Sequence, residues 1–380
     1  MHQLMIVEHS AIPQEIPGSL VRVAFGAGNL QHLGDIAKNE GGHRVLLVSD
    51  AGIVAAGHVE RAVRSLYRAG MIVRVFDSVE ENPTTVHVDR GLRAANDFKP
   101  DMIVGLGGGS SMDCAKGINF RFTNGGLMQD YWGVNKAHTP MLPMIAIPTT
   151  AGTGSEAQSF ALITDPQTHQ KMACGDHRAL PRVAILDPDL IATQPPRVAA
   201  ATGIDAIAHA VETIATTKRT EVSRRLSRAA WQLLEESFER AMEDPSDRKA
   251  GENMLLGAHL AGAAIENSML GAAHALANAL TATFGTVHGV AVGLMLPHVV
   301  RFNSMKAQPC AELGLDPEAL SRRLDALLTA GQLPRHLGEL NVTMSNLDDL
   351  AAIAARQWTA TFNPRPVNEA ALRAIFEAAM

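Results

Sequence analysis

Between residues 44 and 187, five short runs are apolar at nearly every position: RVLLVSD (44–50), VRVFDS (73–78), DMIVGLGGG (101–109), MIAIPTT (144–150) and RVAILD (182–187). A strand with one face in water would alternate apolar and polar residues. Runs apolar throughout are expected of strands covered on both faces. Amphipathic helical patterns at 51–70 and 88–98 separate the early runs. Parallel neighbours cannot be joined by a tight turn, so this alternation predicts a parallel sheet wound with crossover helices. SFALITD (159–165) and QKMACGD (170–176) read as a hairpin appended to that sheet, joined by the turn-forming PQTH.

At TQPPRVAA (193–200) the texture changes. The two prolines suit a helix start, and the chain beyond them is rich in Ala, Leu, Arg and Glu. SRRLSRAAWQLLEESFERAME (223–243), LDDLAAIAARQ (347–357) and NEAALRAIFEAAM (368–380) carry a helical period. The fold expected is therefore an N-terminal α/β domain with a parallel, Rossmann-like sheet, residues 1–194. An all-α domain follows, residues 195–380. A chain of 380 residues is long enough for both.

Composition excludes several classes. A net charge of −6 gives no footprint for nucleic acid or an anionic membrane, so neither is expected as a partner. Cys114, Cys174 and Cys310 form no CxxC, which argues against a disulfide framework and a thiolate zinc site. No run of eighteen apolar residues is present, so no transmembrane helix is expected. The N-terminal MHQLMIVEHS lacks the basic and apolar regions of a signal peptide. These features together read as cytoplasmic.

GLGGGSSMDCAK (105–116) follows an apolar run and opens a helical one. Glycines let backbone N–H groups approach an anion, and a helix N-terminus adds partial positive charge, so a dinucleotide pyrophosphate is the natural guest. Ser110 stands where the last glycine of GxGxxG would be, and the bland alternative is a tight turn with no ligand. PTTAGTGSE (148–156) is a second small-residue loop after a strand, with hydroxyls at Thr149, Thr150, Thr153 and Ser155. Alone it reads equally well as a surface turn. Two such loops after strands reinforce each other, because α/β sheets bind ligands beyond the carboxyl ends of their strands.

GIDAIAHAVE (203–212) is helical, yet places Asp205 and His209 four residues apart on one face. A buried acid and imidazole need partners. LGAAHALANAL (270–280) and FGTVHGVAVG (284–293) add His274 and His288 in apolar, small-residue surroundings. Among fifteen histidines, any one alone would read as structural. One carboxylate and three imidazoles together make a first shell for a divalent ion, with a position left for a substrate oxygen.

The segments GGGSSMDCAK, IPTTAGTGSE, ATGIDAIAHAVE, FGTVHGV and LMLPHVVRFN occur in one order, and with them the chain resembles the iron-containing (group III) alcohol dehydrogenases. The resemblance runs from about residue 20 to 380. It implies an NAD-binding α/β domain, a helical metal-binding domain and an active site in the cleft between them. By that resemblance the metal ligands are Asp205, His209, His274 and His288, the ion usually Fe²⁺ and sometimes Zn²⁺. The cofactor-binding residues are Gly107, Gly108, Gly109, Ser110, Asp113, Thr149, Thr150 and Thr153. Lys171 looks like the family lysine near ribose and nicotinamide, and Asn82 like an asparagine on the adenosine side. Asp50 ends RVLLVSD, where members often place an acid against the adenosine ribose, favouring NAD over NADP.

One position departs from the pattern. Four residues after His274, many members carry a second histidine near the nicotinamide, and here Asn278 stands there. Asparagine can hydrogen-bond but cannot relay a proton near neutral pH. The resemblance implies reversible hydride transfer between a small alcohol and an aldehyde or ketone, in a homodimer. Three alternatives remain at the level of sequence. A hydroxyacid–oxoacid transhydrogenase would retain its cofactor, a cyclase resembling dehydroquinate synthase would need a basic phosphate site, and a third option is a non-catalytic metal or nucleotide binder.

Overall fold

Seven strands form the main sheet, in the order β1-β2-β10-β7-β5-β3-β4. They are β1 (Ser10–Gln14), β2 (Arg22–Phe25), β3 (Arg44–Asp50), β4 (Ile72–Val79), β5 (Met102–Gly107), β7 (Met144–Pro148) and β10 (Val183–Leu186). The computed structural model describes residues 7–168, 170–306 and 308–380. Most of the N-terminal stretch on which the absence of a signal peptide was read lies outside them.

Every residue of β5, β7 and β10 is buried, which explains why those runs are apolar throughout. Successive side chains point to opposite faces. Leu46, Val48 and Ile103 enter one core layer, while Val45, Leu47 and Val104 enter the other. Each such side chain, fully removed from water, contributes on the order of 1.5–3 kcal/mol before its entropy cost. From β3 the chain runs outward to β4, then returns past β3 to β5. The carboxyl ends of β3 and β5 therefore form the switch point at which open α/β sheets take their ligands.

Three features differ from the expectations. The sheet is parallel from β2 to β4, but β1 pairs antiparallel with β2 at the edge. The hairpin of β8 (Phe160–Thr164) and β9 (Lys171–Gly175) is not appended to this sheet. It forms a separate three-stranded sheet with β6 (Gly133–Val134), in the order β6-β9-β8. Neither β1 nor β6 is read from sequence. β1 is an edge strand containing Pro13 with no buried residue, and β6 is two residues long.

The chain divides into two compact units, the first running to Thr150 and over Gly154–Gln194, the second comprising Ala151–Thr153 and Pro195–Met380. The second is helical. Its helices include Pro196–Ala215, Glu221–Glu243, Arg248–Glu266, Ala272–Phe284 and His288–Phe302. Pro196 opens the first, its missing N–H costing nothing there. Gly285, at φ 66°, closes Ala272–Phe284. Pro196–Ala215 is long and apolar enough to cross a membrane by length and composition, but 78% of that window is buried inside the unit. Its apolarity is that of a core helix, and the buried Asp205, His209 and Glu212 on it belong to the candidate site.

Candidate active site

Within the helical unit Asp205, His209 and His274 bring their donor atoms within 4.8 Å of one another, and His288 approaches Asp205 from beside them. Asp205 and His209 lie in the middle of Pro196–Ala215, one turn apart. His274 sits in the first turn of Ala272–Phe284, and His288 opens His288–Phe302. Two helix starts are thus aimed at the flank of a third. Gly289 makes this approach possible, because a Cβ there would come within 2.0 Å of the Ala201 carbonyl oxygen.

His209 Nε2 is 3.4 Å from Asp205 Oδ1, His274 Nε2 is 3.5 Å from it, and His288 Nε2 is 4.0 Å away. The His209 and His274 rings stack at 4.9 Å between centroids. Two donors each about 2.1 Å from one tetrahedral ion stand about 3.4 Å apart. Asp205, His209 and His274 are nearly fully buried, yet Asp205 Oδ1 and His274 Nε2 have no hydrogen-bond partner. Such buried atoms carry a penalty that a bound cation removes. The donor set, its spacing and its unpartnered atoms all fit a divalent metal.

Glu212 was not singled out in the sequence, although it stands in the same helix, three residues beyond His209. Its Oε2 lies 2.5 Å from His274 Nδ1, and its Oε1 accepts a bond from the Ala273 N–H at 2.7 Å. A carboxylate on Nδ1 fixes the orientation of the His274 ring and turns Nε2 toward Asp205, where a cation can take the place of its proton. The signal was available: Asp205, His209 and Glu212 repeat at i, i+4 and i+7 along one face.

Asp205, His209 and His274 hold one another in distinct protonation states. Burial works against the Asp205 carboxylate, but the three imidazoles outweigh it and hold its pKa far below the usual range. Burial pulls His209 down to about 4 and keeps it neutral. Burial also works against charge on His274, but the flanking Asp205 and Glu212 carboxylates prevail and raise it to about 9. Asn278, one turn beyond His274, donates from Nδ2 to Gln357 Oε1 at 3.2 Å.

The cofactor candidates gather in the α/β unit, at the switch point. Gly107 ends β5, and Gly108 precedes the helix Gly109–Asn124. Thr149 follows β7, and its N–H donates to the Gly107 carbonyl at 3.0 Å. A side chain at Gly108 would touch Thr150. Asp50 ends β3; its Oδ1 accepts from Ile53 N at 3.1 Å and its Oδ2 from the Ser111 hydroxyl at 2.8 Å. Asn82, at φ 52°, donates its N–H to Ser110 Oγ at 3.2 Å, and Lys171 Nζ reaches Asn82 Oδ1 at 3.4 Å. These residues form one group around the turn.

Thr153 and Asp113 have other surroundings. Thr153 belongs with the helical unit. Asp113 is buried, its Oδ1 accepting from Ser155 Oγ at 2.6 Å and its Oδ2 from Leu162 N at 3.1 Å. Burial pushes its carboxyl above the ordinary range, against the pull of the Lys116 ammonium 3.9 Å away. Each Asp113 oxygen thus accepts one hydrogen bond from the protein interior. Lys116, fully buried, donates to Ser155 O, Ser155 Oγ and Phe160 O at 2.7–2.9 Å.

Residues 21–188 match the model of the family described as iron-containing alcohol dehydrogenase, and residues 199–380 match its C-terminal domain. The chain belongs to the iron-containing alcohol dehydrogenase family. It is an oxidoreductase that interconverts alcohols with aldehydes or ketones. It is 35% identical over 366 residues to alcohol dehydrogenase 4 of Schizosaccharomyces pombe, covering 94% of this chain and 87% of the relative. The crystal structure of a 1,3-propanediol oxidoreductase superposes with a TM-score of 0.90 at 33% identity, covering 95% and 98% of the two chains. Sulfoacetaldehyde reductase from Bifidobacterium kashiwanohense, solved in complex with NAD+, gives 0.87 at 26% identity and 99% of both chains. For this iron-containing alcohol dehydrogenase, the family implies a nicotinamide cofactor and a divalent metal.

Proposed function

We propose that this enzyme oxidises a small alcohol with NAD, and reduces the matching aldehyde or ketone, using one divalent cation held by Asp205, His209, His274 and His288. The observation that carries the reading is the pair of buried, unpartnered atoms Asp205 Oδ1 and His274 Nε2, 3.5 Å apart. Bound there, the ion supplies a Lewis acid toward an alcohol or carbonyl oxygen, and NAD supplies the hydride acceptor. The donor set accommodates Fe²⁺ or Zn²⁺, and the family favours Fe²⁺.

The chain's own residues prepare the site. Asp205, kept ionised, offsets part of the cation's charge. His209, kept neutral by burial, has its ring nitrogen lone pair available. Glu212 orients His274 through Nδ1. Asn278 can orient a hydroxyl or an amide, but it takes no proton near neutral pH, so the proton leaves by a route other than this side chain. The buried alanines beside His274, at 272, 273, 275 and 277, support a small, mainly apolar substrate.

The N–H groups of the turn at Gly107–Ser110 suit a pyrophosphate at the start of a sixteen-residue helix. Asp50 has acceptor capacity left for ribose hydroxyls, and its charge opposes a 2′-phosphate. The NAD+ carried by sulfoacetaldehyde reductase supports that preference. Free Cys114, Cys174 and Cys310 support a cytoplasmic setting, and the frequency of two-fold symmetry among soluble enzymes supports a homodimer.

The test is a panel of short alcohols, diols and hydroxyacids on metal-reconstituted protein, with NAD and NADP supplied separately. Reduction of added NAD by an alcohol is expected. Turnover only between a hydroxyacid and an oxoacid, with no added NAD, would replace this reading by a transhydrogenase.

A further inference from the structure

We infer that Ser111 is a positioning residue for cofactor choice: its hydroxyl ties the Asp50 carboxylate to the glycine-turn helix and fixes the direction in which that charge is presented. The inference rests on the reading of Asp50 as the group that discriminates NAD from NADP.

Ser111 is fully buried in the first turn of Gly109–Asn124. A serine in a helix commonly bonds back to a carbonyl of its own helix. Here the hydroxyl instead crosses to the next strand end and donates to Asp50 Oδ2 at 2.8 Å. The other oxygen, Oδ1, accepts from Ile53 N and caps Ala51–Ala55. That helix has five residues, too few to be stable alone, so the cap is a weak anchor. The bond from Ser111 comes from an element of sixteen residues packed on the sheet, and it is the firmer of the two.

Gly107 keeps this contact possible. Its φ is +150°, and a Cβ there would stand 2.6 Å from Ser111 Oγ and 3.1 Å from Asp50 Oδ2. The turn suited to a pyrophosphate and the carboxylate suited to the adenosine ribose are therefore joined by a single hydrogen bond at the switch point. With one lone pair of each oxygen engaged, the remaining pairs stay available for ribose hydroxyls. Without the hydroxyl, the carboxylate gains rotamers that neither accept from a ribose nor stand against a 2′-phosphate.

The experiment is titration of the purified enzyme with NADH and with NADPH, reading dissociation constants by nucleotide fluorescence in wild type, Ser111→Ala, Asp50→Gly and the double variant. Wild type should bind NADH more tightly. Ser111→Ala should weaken NADH about fivefold and leave NADPH unchanged or tighter, the size of one ordinary hydrogen bond, since the carboxylate keeps its bond from Ile53. In the Asp50→Gly background, Ser111→Ala should leave the NADH/NADPH ratio where it was. Ser111→Cys, nearly isosteric and a weak donor, carries the same test if the alanine variant does not accumulate. An unchanged ratio in folded Ser111→Ala, or an equal loss for both nucleotides, would overturn the role of Ser111 and leave Asp50 standing. A wild type that binds both nucleotides equally would overturn the reading of Asp50 itself.

Discussion

The glycine turn and the helical cluster solve the problem of buried charge in opposite ways. Around the turn, the polar groups complete one another. Asp50 accepts from Ser111 and Ile53, Asp113 from Ser155 and Leu162, and Lys116 donates to three oxygens. In the cluster, Asp205 Oδ1 and His274 Nε2 are buried with no hydrogen-bond partner, and carboxylate and imidazoles crowd within 3.4–4.0 Å. A region that satisfies itself is a scaffold that can receive a dinucleotide on its outer face. A region that leaves donors unsatisfied stores a cost that a cation repays. The first can be rigid before its ligand arrives, whereas the second gains stability with its ligand.

Perturbing each side should have consequences of a different kind. Lys116→Met removes the buried cation and strands the acceptors beneath the turn. It should cost about 3 kcal/mol of stability by denaturant unfolding, yet leave the metal affinity of the folded fraction unchanged. A matching loss of metal affinity would break the comparison. Glu212→Gln exchanges the carboxylate for an amide at the back of His274. Metal affinity by competition with a chelator should fall about 10- to 100-fold in the folded protein. Unchanged affinity would make Glu212 a packing residue.

Proton competition sharpens the same contrast. His274 is raised to about 9 in the metal-free cluster, so it carries a proton at neutral pH that an ion must displace. Affinity should therefore rise with pH by up to about tenfold per unit until pH 9, then level off. A proton should also be released on binding, measurable by titration in two buffers of different ionisation enthalpy. His209, already neutral above about pH 4, adds no slope in that window. A flat profile from pH 6 to 9 would contradict the assignment. The smallest effect belongs to Asn278→His, which should add a titration between about pH 6 and 8 to the rate profile. An identical profile would show that position 278 does not communicate with the reacting centre.

Much of this was legible in the sequence, and the gaps have physical causes. Runs such as MIAIP announced interior strands because both their faces are buried. SAIPQ did not, because Ile12 is 76% exposed and an edge strand needs no apolar pattern. The separate sheet of the 159–176 hairpin depends on β6, a pairing remote in sequence and two residues long. Asp205, His209, His274 and His288 stood out as polar residues in apolar surroundings. Glu212 repeats the same spacing, yet an acid on a helix reads by itself as solvated. Lys116 is hidden for the same reason: a charged residue in a helix reads as solvated, and only the fold shows that it faces inward beside Asp113. The role of Ser111 is not legible in the sequence because the partner of its hydroxyl lies 61 residues away.

The most direct test of the central claim is the content of divalent ion, measured by elemental analysis after reconstitution and removal of unbound metal. It should be compared between wild type and His274→Ala, with folding of both checked by circular dichroism. The account predicts one ion per chain in wild type and almost none in the variant, with alcohol oxidation lost in step. An equal ion content in both folded proteins would place the metal elsewhere and contradict the assignment of Asp205, His209, His274 and His288.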